Sequence, residues 1–284
     1  MEIVLAKSAG FCFGVRRATQ MAFDAASKHE NICSLGPVIH SPQVVKGLAE
    51  QGVKVVSKVE DIPPGSVIVR SHGITSEEME KIHESNLTIV DATCPFVKKA
   101  QEYAARLCDE GYTVVIVGEM EHPEVQGIVS YAGEALVLVV ADAHQASALP
   151  RMKKVGIVAQ TTQLYENLKD LMDICLAKSQ ELRIYNTICD ATSVRQNEAR
   201  EIAMDVDLMF VIGGHASANT SRLAAICREI QPRTWHIETT EEIEAECFAS
   251  VNRVGVTAGA STPRWLIDEV LARITALAVE AEGS

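Results

Sequence analysis

The chain is predicted to be an α/β protein made of three small, related modules that share a centre. Three observations lead there. Short apolar, strand-like runs alternate with helix-forming stretches along the whole sequence, which implies parallel sheets flanked by helices. Cys12, Cys94 and Cys189 recur in one setting, with an apolar run before the cysteine and a helix opening with basic residues after it. A histidine follows at nearly constant distance, 28, 28 and 26 residues on (Cys12 to His40, Cys94 to His122, Cys189 to His215). A length of 284 residues alone favours about two domains, but the repeat divides the chain into three.

The elements justify this in order. Ile3 to Leu5 precedes Cys12, and Val15-Arg16-Arg17-Ala18 opens the helix behind it. Leu87 to Val90 precedes Cys94, and Val97-Lys98-Lys99-Ala100 follows. Leu182 to Ile188 precedes Cys189, and Val194-Arg195-Gln196 follows. A second set of junctions comes next: Gly36 to Pro42 around His40, Gly118 to Pro123 around His122, and Gly213 to Ser217 around His215. A third set closes each copy at Val67 to Gly73, Val155 to Thr162 and Val254 to Ser261. Thr75-Ser76-Glu77-Glu78 and Ser261-Thr262-Pro263 read as helix starts. In open α/β sheets, ligands collect beyond the carboxyl ends of the strands, and the distinctive Cys, His, Thr, Ser and Asn residues lie there.

Composition narrows the classes. With 47% hydrophobic and 23% charged residues there is ample material for packed cores. A formal net charge of −12 with no basic block argues against sequence-independent nucleic-acid binding. The opening apolar run is too short for a signal-peptide core, and no stretch approaches a membrane span, so a cytoplasmic location is expected.

None of the eight cysteines forms a C-x-x-C pair, which removes the usual zinc-ribbon and thioredoxin readings. Cys108, Cys175 and Cys227 fall in helical patterns, Cys33 beside a strand and Cys247 in an acidic stretch; all five are expected to be structural. Three thiolates from the repeated positions suit an iron–sulfur cluster with one open iron, because a helix start lowers a thiol's pKa toward the ligating form. A three-cysteine zinc site and three repeated packing thiols are the other readings. Pro95 fits the first helical position after Cys94.

His40, His72 and His122 stand at strand-to-helix junctions and, with Ser217, Asn219 and Ser261, supply donors for a phosphate or diphosphate. His29, His83, His144 and His236 are expected on the surface. Glu124, two residues after His122, is either a proton donor or an ordinary first-turn glutamate favoured by the helix dipole. Thr161 either holds a substrate hydroxyl or caps a helix.

Together, Ala9-Gly10-Phe11-Cys12-Phe13-Gly14-Val15, Val90-Asp91-Ala92-Thr93-Cys94-Pro95, Glu121-His122-Pro123-Glu124, Ala159-Gln160-Thr161-Thr162 and Cys189-Asp190-Ala191-Thr192 resemble the 4-hydroxy-3-methylbut-2-enyl diphosphate reductase (IspH/LytB) family. The resemblance runs from Cys12 to Ser261. It implies a trefoil of three α/β modules, at 14–94, at 95–187, and at 1–13 plus 188–284, with the N-terminal strand packed in the third. It also implies one 4Fe–4S cluster per chain held by Cys12, Cys94 and Cys189.

The implied reaction is the last step of the methylerythritol phosphate route. The substrate hydroxyl sits on the open iron and is removed reductively, giving isopentenyl and dimethylallyl diphosphate. By the same resemblance Glu124, Thr161 and His122 serve catalysis. His40, His72, His122, Thr161, Thr192, Ser217, Asn219 and Ser261 bind substrate, and ferredoxin or flavodoxin supplies electrons, with no nucleic-acid or membrane partner. Two positions depart from the pattern: Ala218 stands where some relatives carry a second serine, and His215 where lysine is common. A quinolinate-synthase-like cluster dehydratase and a non-catalytic iron–sulfur sensor are the competing functions.

Overall fold

The computed structural model describes residues 1–133 and 136–282. Among these residues, twelve strands and ten α-helices alternate along the chain. The first stretch runs β1 (Glu2–Leu5), α1 (Phe13–Ala26), β2 (Ile32–Leu35), α2 (Pro42–Glu50), β3 (Lys54–Val56), β4 (Ser66–Val69), α3 (Ser76–Glu84) and β5 (Thr88–Asp91). The second comprises α4 (Pro95–Asp109), β6 (Thr113–Val117), α5 (Pro123–Tyr131), β7 (Val137–Val140), α6 (Ala143–Ser147), β8 (Met152–Ala159), α7 (Tyr165–Lys178) and β9 (Ser179–Ile184). The third contains α8 (Asp190–Ala203), β10 (Leu208–Ile212), α9 (Ala218–Ile230), β11 (Thr234–Ile237), β12 (Arg253–Ala258) and α10 (Arg264–Glu282).

The strands form three four-stranded sheets, ordered β3-β2-β4-β5, β7-β6-β8-β9 and β11-β10-β12-β1. Every pairing is parallel. The order is the same each time once β1 takes the fourth place in the last sheet, where Ile3 pairs with Val254 and Leu5 with Val256. The expected α/β class and three-module organisation are therefore present. Compact packing groups the chain into two units. One holds Met1–Arg16, His40–Val44 and Asp190–Ser284; the other holds Arg17–Ile39 and Val45–Cys189.

Parallel sheets covered on both faces need strands that are apolar on both sides, which explains the unbroken hydrophobic runs. Val115 and Val117 of β6 join Ile157, Leu168 and Leu171 in one core. Val114 and Ile116 of the same strand meet Leu107, Ile128 and Val158 in another. In β10, Leu208, Phe210 and Ile212 pack toward α10, and Met209 and Val211 toward α8 and α9. Side chains alternate across the strand, so each face receives its own core.

Helix starts follow the local chemistry. Thr75 and Glu78 form a complete capping box on α3, and Pro95 occupies the first turn of α4 behind Cys94 as N-cap. Three details differ from the sequence reading. The strand before Cys189 ends at Ile184, because the Thr187 hydroxyl takes over the pairing with Ala159: it accepts from its N–H at 2.8 Å and donates to its carbonyl. Cys33 lies within β2. Pro263 precedes α10, its carbonyl accepting the Ile267 N–H at 3.4 Å.

No helix among the described residues is long and apolar enough to cross a membrane. Two glycines in central strands allow close helix packing. A Cβ at Gly156 would lie 2.5 Å from Leu107 Cδ2, and one at Gly255 would lie 2.7 Å from Ile202 Cγ2. Gly156→Val is expected to lower stability by about 1–3 kcal/mol through overpacking, read as a fall in the urea midpoint with unchanged m-value.

Candidate functional site

Each repeated cysteine is held by the backbone in the same way. Cys94 N–H donates to Ser71 O at 2.9 Å, Cys189 N–H to Thr161 O at 3.0 Å, and Cys12 N–H to Ala260 O at 3.2 Å. Each acceptor lies two residues beyond the end of a central strand, β4, β8 or β12. Each cysteine also immediately precedes a helix, α4, α8 or α1. Cys12 Sγ accepts the Val15 N–H at 3.5 Å, as an electron-rich sulfur at a helix start does.

The remaining cysteines are different. No disulfide joins any of the eight. Cys33, Cys175, Cys227 and Cys247 are buried, whereas Cys12, Cys94, Cys108 and Cys189 are partly exposed. Burial raises the thiols of Cys33, Cys175 and Cys247, and pushes Cys227 up to about 12, so these stay protonated at neutral pH. Cys108, expected to be buried, is partly exposed on α4. Partly exposed thiols on backbone-anchored helix starts are a donor set that suits a soft metal or an iron–sulfur cluster.

In the unit containing β8, Glu124 lies in the first turn of α5 and is only 2% exposed. Its Oε1 accepts Thr161 N–H at 2.6 Å and its Oε2 accepts the Thr161 hydroxyl at 2.9 Å. A solvated first-turn glutamate would make neither contact. Thr161 is not a helix cap, since α7 begins at Tyr165 behind Leu164. Its carbonyl holds Cys189 while its N–H and hydroxyl hold Glu124.

His122 is the N-cap of α5, with Nδ1 accepting the Glu124 N–H at 3.1 Å. The neutral ring must then carry its proton on Nε2. His72 meets His122 edge-on, with ring centroids 5.6 Å apart. His72 is presented by a tight turn: Gly73 has φ +76°, its N–H donates to Arg70 O, and Arg70 Nε returns a bond to Gly73 O at 3.0 Å. Burial lowers the Arg70 guanidinium pKa from its usual value.

In the other unit, Ser217 caps α9 and its hydroxyl accepts Thr220 N–H at 3.4 Å. Asn219 is buried in the first turn of α9, and its Nδ2 has no hydrogen-bond partner. A buried amide donor left over beside a helix N-terminus fits an anion. The Ser261 hydroxyl donates to His40 O at 3.0 Å, so it fixes the histidine's backbone. Thr192 is buried on α8.

His215 turns toward Glu242, 3.3 Å away, and its ring lies 4.5 Å from that of His236. His29 and His236, expected on the surface, are partly buried. His29 pairs with the Ser66 hydroxyl at 2.9 Å and His236 Nε2 with Gly213 O at 2.9 Å. Burial lowers the His236 pKa despite that bond. The sequence reading missed Gln160, fully buried, whose Oε1 accepts Glu119 N–H at 3.3 Å and whose Nε2 has no partner. Its place beside Thr161 in Ala159-Gln160-Thr161-Thr162 was the available signal.

Thr161→Val is expected to cost about 1–3 kcal/mol in chemical denaturation, because a buried carboxyl loses one of its hydrogen bonds. Brief alkylation of native, metal-free protein followed by mass spectrometry should modify Cys12, Cys94, Cys108 and Cys189 and spare the four buried thiols.

Comparison with known proteins identifies the family. The LytB protein family matches residues 3–275. A 4-hydroxy-3-methylbut-2-enyl diphosphate reductase from Syntrophotalea carbinolica is 66% identical over 275 residues, covering 97% of this chain and 99% of its own. That of Geobacter sulfurreducens is 63% identical over 274 residues, covering 96% and 97%. A solved structure of (E)-4-hydroxy-3-methyl-but-2-enyl diphosphate reductase, the terminal enzyme of the non-mevalonate pathway, is 44% identical with a TM-score of 0.70, covering 97% of this chain and 99% of that one. The E-1-hydroxy-2-methyl-but-2-enyl-4-diphosphate reductase from Plasmodium falciparum shares the fold at a TM-score of 0.89 and 24% identity, over 95% of this chain and 87% of that one. With a match spanning nearly its whole length, the chain belongs to the LytB family.

Proposed function

We propose that this chain is an iron–sulfur oxidoreductase that removes the hydroxyl of (E)-4-hydroxy-3-methylbut-2-enyl diphosphate, giving isopentenyl and dimethylallyl diphosphate. One observation carries the reading: Thr161 joins a buried carboxyl to a repeated cysteine, bonding Glu124 through its N–H and hydroxyl and Cys189 through its carbonyl. A proton carrier and a metal ligand on one residue's backbone are what a reductive dehydroxylation needs, because loss of hydroxide as water requires a proton where the electrons arrive. Family membership argues against the quinolinate-synthase-like alternative.

Cys12, Cys94 and Cys189 are assigned to one 4Fe–4S cluster per chain. When bound, such a cluster supplies single electrons and Lewis acidity. The division into modules at 14–94, 95–187, and 1–13 plus 188–284 belongs to the same proposal; each four-stranded sheet falls inside one of them.

The chain's own groups do the rest. Glu124 holds the proton at its carboxyl, buried against Thr161 so that bulk water does not compete for it. With Glu124 protonated, its O–H gives a proton to the Thr161 oxygen, 2.9 Å away, while the Thr161 hydroxyl gives its own proton to a bound hydroxyl. One proton thus leaves the carboxyl and one reaches the ligand. His122, with its proton on Nε2, donates toward an anionic ligand, and His72 lies edge-on beside it. His40, Ser217, Asn219 and Ser261 are assigned to the diphosphate, with Thr192 near the carbon skeleton. The orphaned Asn219 amide is the strongest support for an anion on α9, where main-chain N–H groups make up for the hydroxyl missing at Ala218. Binding energy from a remote diphosphate orients the reacting end of the substrate.

Eight reduced thiols suit a reducing cytoplasm, and a small electron-transfer protein such as ferredoxin or flavodoxin is the assigned donor. Anaerobically prepared protein with a chemical reductant should convert the hydroxylated substrate. Glu124→Gln should keep iron content and diphosphate affinity while losing at least about 100-fold in turnover; full activity in this variant would remove the carboxyl from its role. Cys94→Ser should abolish stable iron and sulfide loading and Cys227→Ser should not. Equal iron content in both would overturn the ligand assignment.

A further inference from the structure

The segment between β1 and α1 carries Cys12 but lacks a strand partner of its own over residues 7–10. It is gripped from one face of α8 instead. Arg195 is 3% exposed, and its Nη2 donates to Ser8 O at 2.6 Å and to Gly10 O at 2.8 Å. Its Nη1 returns to Ala191 O on its own helix at 3.5 Å. Three residues on, Glu198 accepts Lys7 N–H at 2.7 Å and Ser8 N–H at 2.8 Å, together with the Ser8 hydroxyl. Residues three apart share a helix face, so one stripe of α8 binds both the N–H and the C=O of Ser8. The opposite side is closed by Gly10 at φ +98°, where a Cβ would stand 3.1 Å from Ile267 Cδ1.

From this geometry we infer that Arg195 and Glu198 are positioning residues for the cluster: together they clamp Lys7–Gly10 and so hold the Cys12 thiolate in its ligating place. The inference rests on the reading that Cys12 is a cluster ligand. Two bonds to carbonyls and two to N–H groups fix translation and rotation of a short loop, which a single contact does not. A ligand held this way loses little further freedom on binding iron, and outer groups of this kind govern how firmly a metal is kept. Arg195 also brings a fixed positive charge to the loop of a thiolate ligand, which favours the more negative, reduced state of a cluster.

A milder form of the device serves the other two cysteines. Arg17 Nη1 donates to Thr93 O, the residue before Cys94, at 3.2 Å. Tyr103 on α4 stacks on Tyr185, four residues before Cys189, with centroids 4.0 Å apart. In each case a helix that follows one cysteine in the chain holds the approach to another.

The test uses reconstituted full-length protein, with Cys189→Ser as a control for the cluster reading. Arg195→Met and Glu198→Ala should lose iron to a chelator about 10–100-fold faster than wild type. Both should show an altered electron paramagnetic resonance signal of the reduced cluster. The midpoint potential of Arg195→Met should move negative and return with Arg195→Lys. A merely structural role would lower the melting temperature and leave the potential and the spectrum where they are; that result overturns the clamp. If either truncation fails to fold, Arg195→Lys and Glu198→Gln are read for chelator loss, and wild-type rates in both also overturn it. Wild-type protein without iron, or Cys189→Ser with full iron, would instead remove the cluster reading beneath it.

Discussion

One backbone hydrogen bond, made three times, is the constraint on which the rest of this chain depends. The N–H of Cys12, Cys94 and Cys189 each reaches the carbonyl two residues past a central strand, Ala260, Ser71 and Thr161. That bond transfers the rigidity of a parallel sheet to a loop. It sets the cysteine at the carboxyl end of the strands, where an α/β sheet leaves room for a ligand. The helix behind each cysteine then starts in a fixed direction. Five positions before two of the acceptors, Gly156 and Gly255 let helices lie close on the strands that carry them.

Burial separates the two cysteine populations more sharply than sequence position does. A thiol deep in an apolar core, such as Cys227, pays for ionisation with lost solvation and behaves as a small hydrophobe. The junction cysteines keep partial exposure, and Cys12 Sγ accepts a main-chain N–H from Val15. The same logic reversed applies to Glu124. A buried carboxyl with its oxygens bonded to one threonine is costly to place, and the proposed proton-handling role of Glu124 rests on that burial.

Much of this was legible beforehand. Alternating apolar runs, the threefold cysteine setting and the cysteine-to-histidine spacing gave the architecture, because parallel sheets covered on both faces demand unbroken hydrophobic strands. The capping residues of α3 and α4 were equally clear. What was not legible depended on contacts between residues distant in the chain. Thr161 reads in sequence as a holder of a substrate hydroxyl or as a helix cap, and its bond to Glu124, 37 residues earlier, is written in neither pattern. Thr187 replaced a strand partner with its side chain, shortening β9. Local pattern assigns no role to Arg195 or Glu198, and only their bonds to Lys7, Ser8 and Gly10, 185 to 191 residues away, give them one.

The sequence by itself determined the α/β class, the threefold repetition and which cysteines stand at helix starts. Those follow from period and local chemistry, which act over a few residues. Tertiary structure alone decided which carboxyl is buried, which donors are left without partners and which helix grips which loop. Desolvation and hydrogen bonding belong to groups that meet in space, and pattern along the chain carries no record of that meeting.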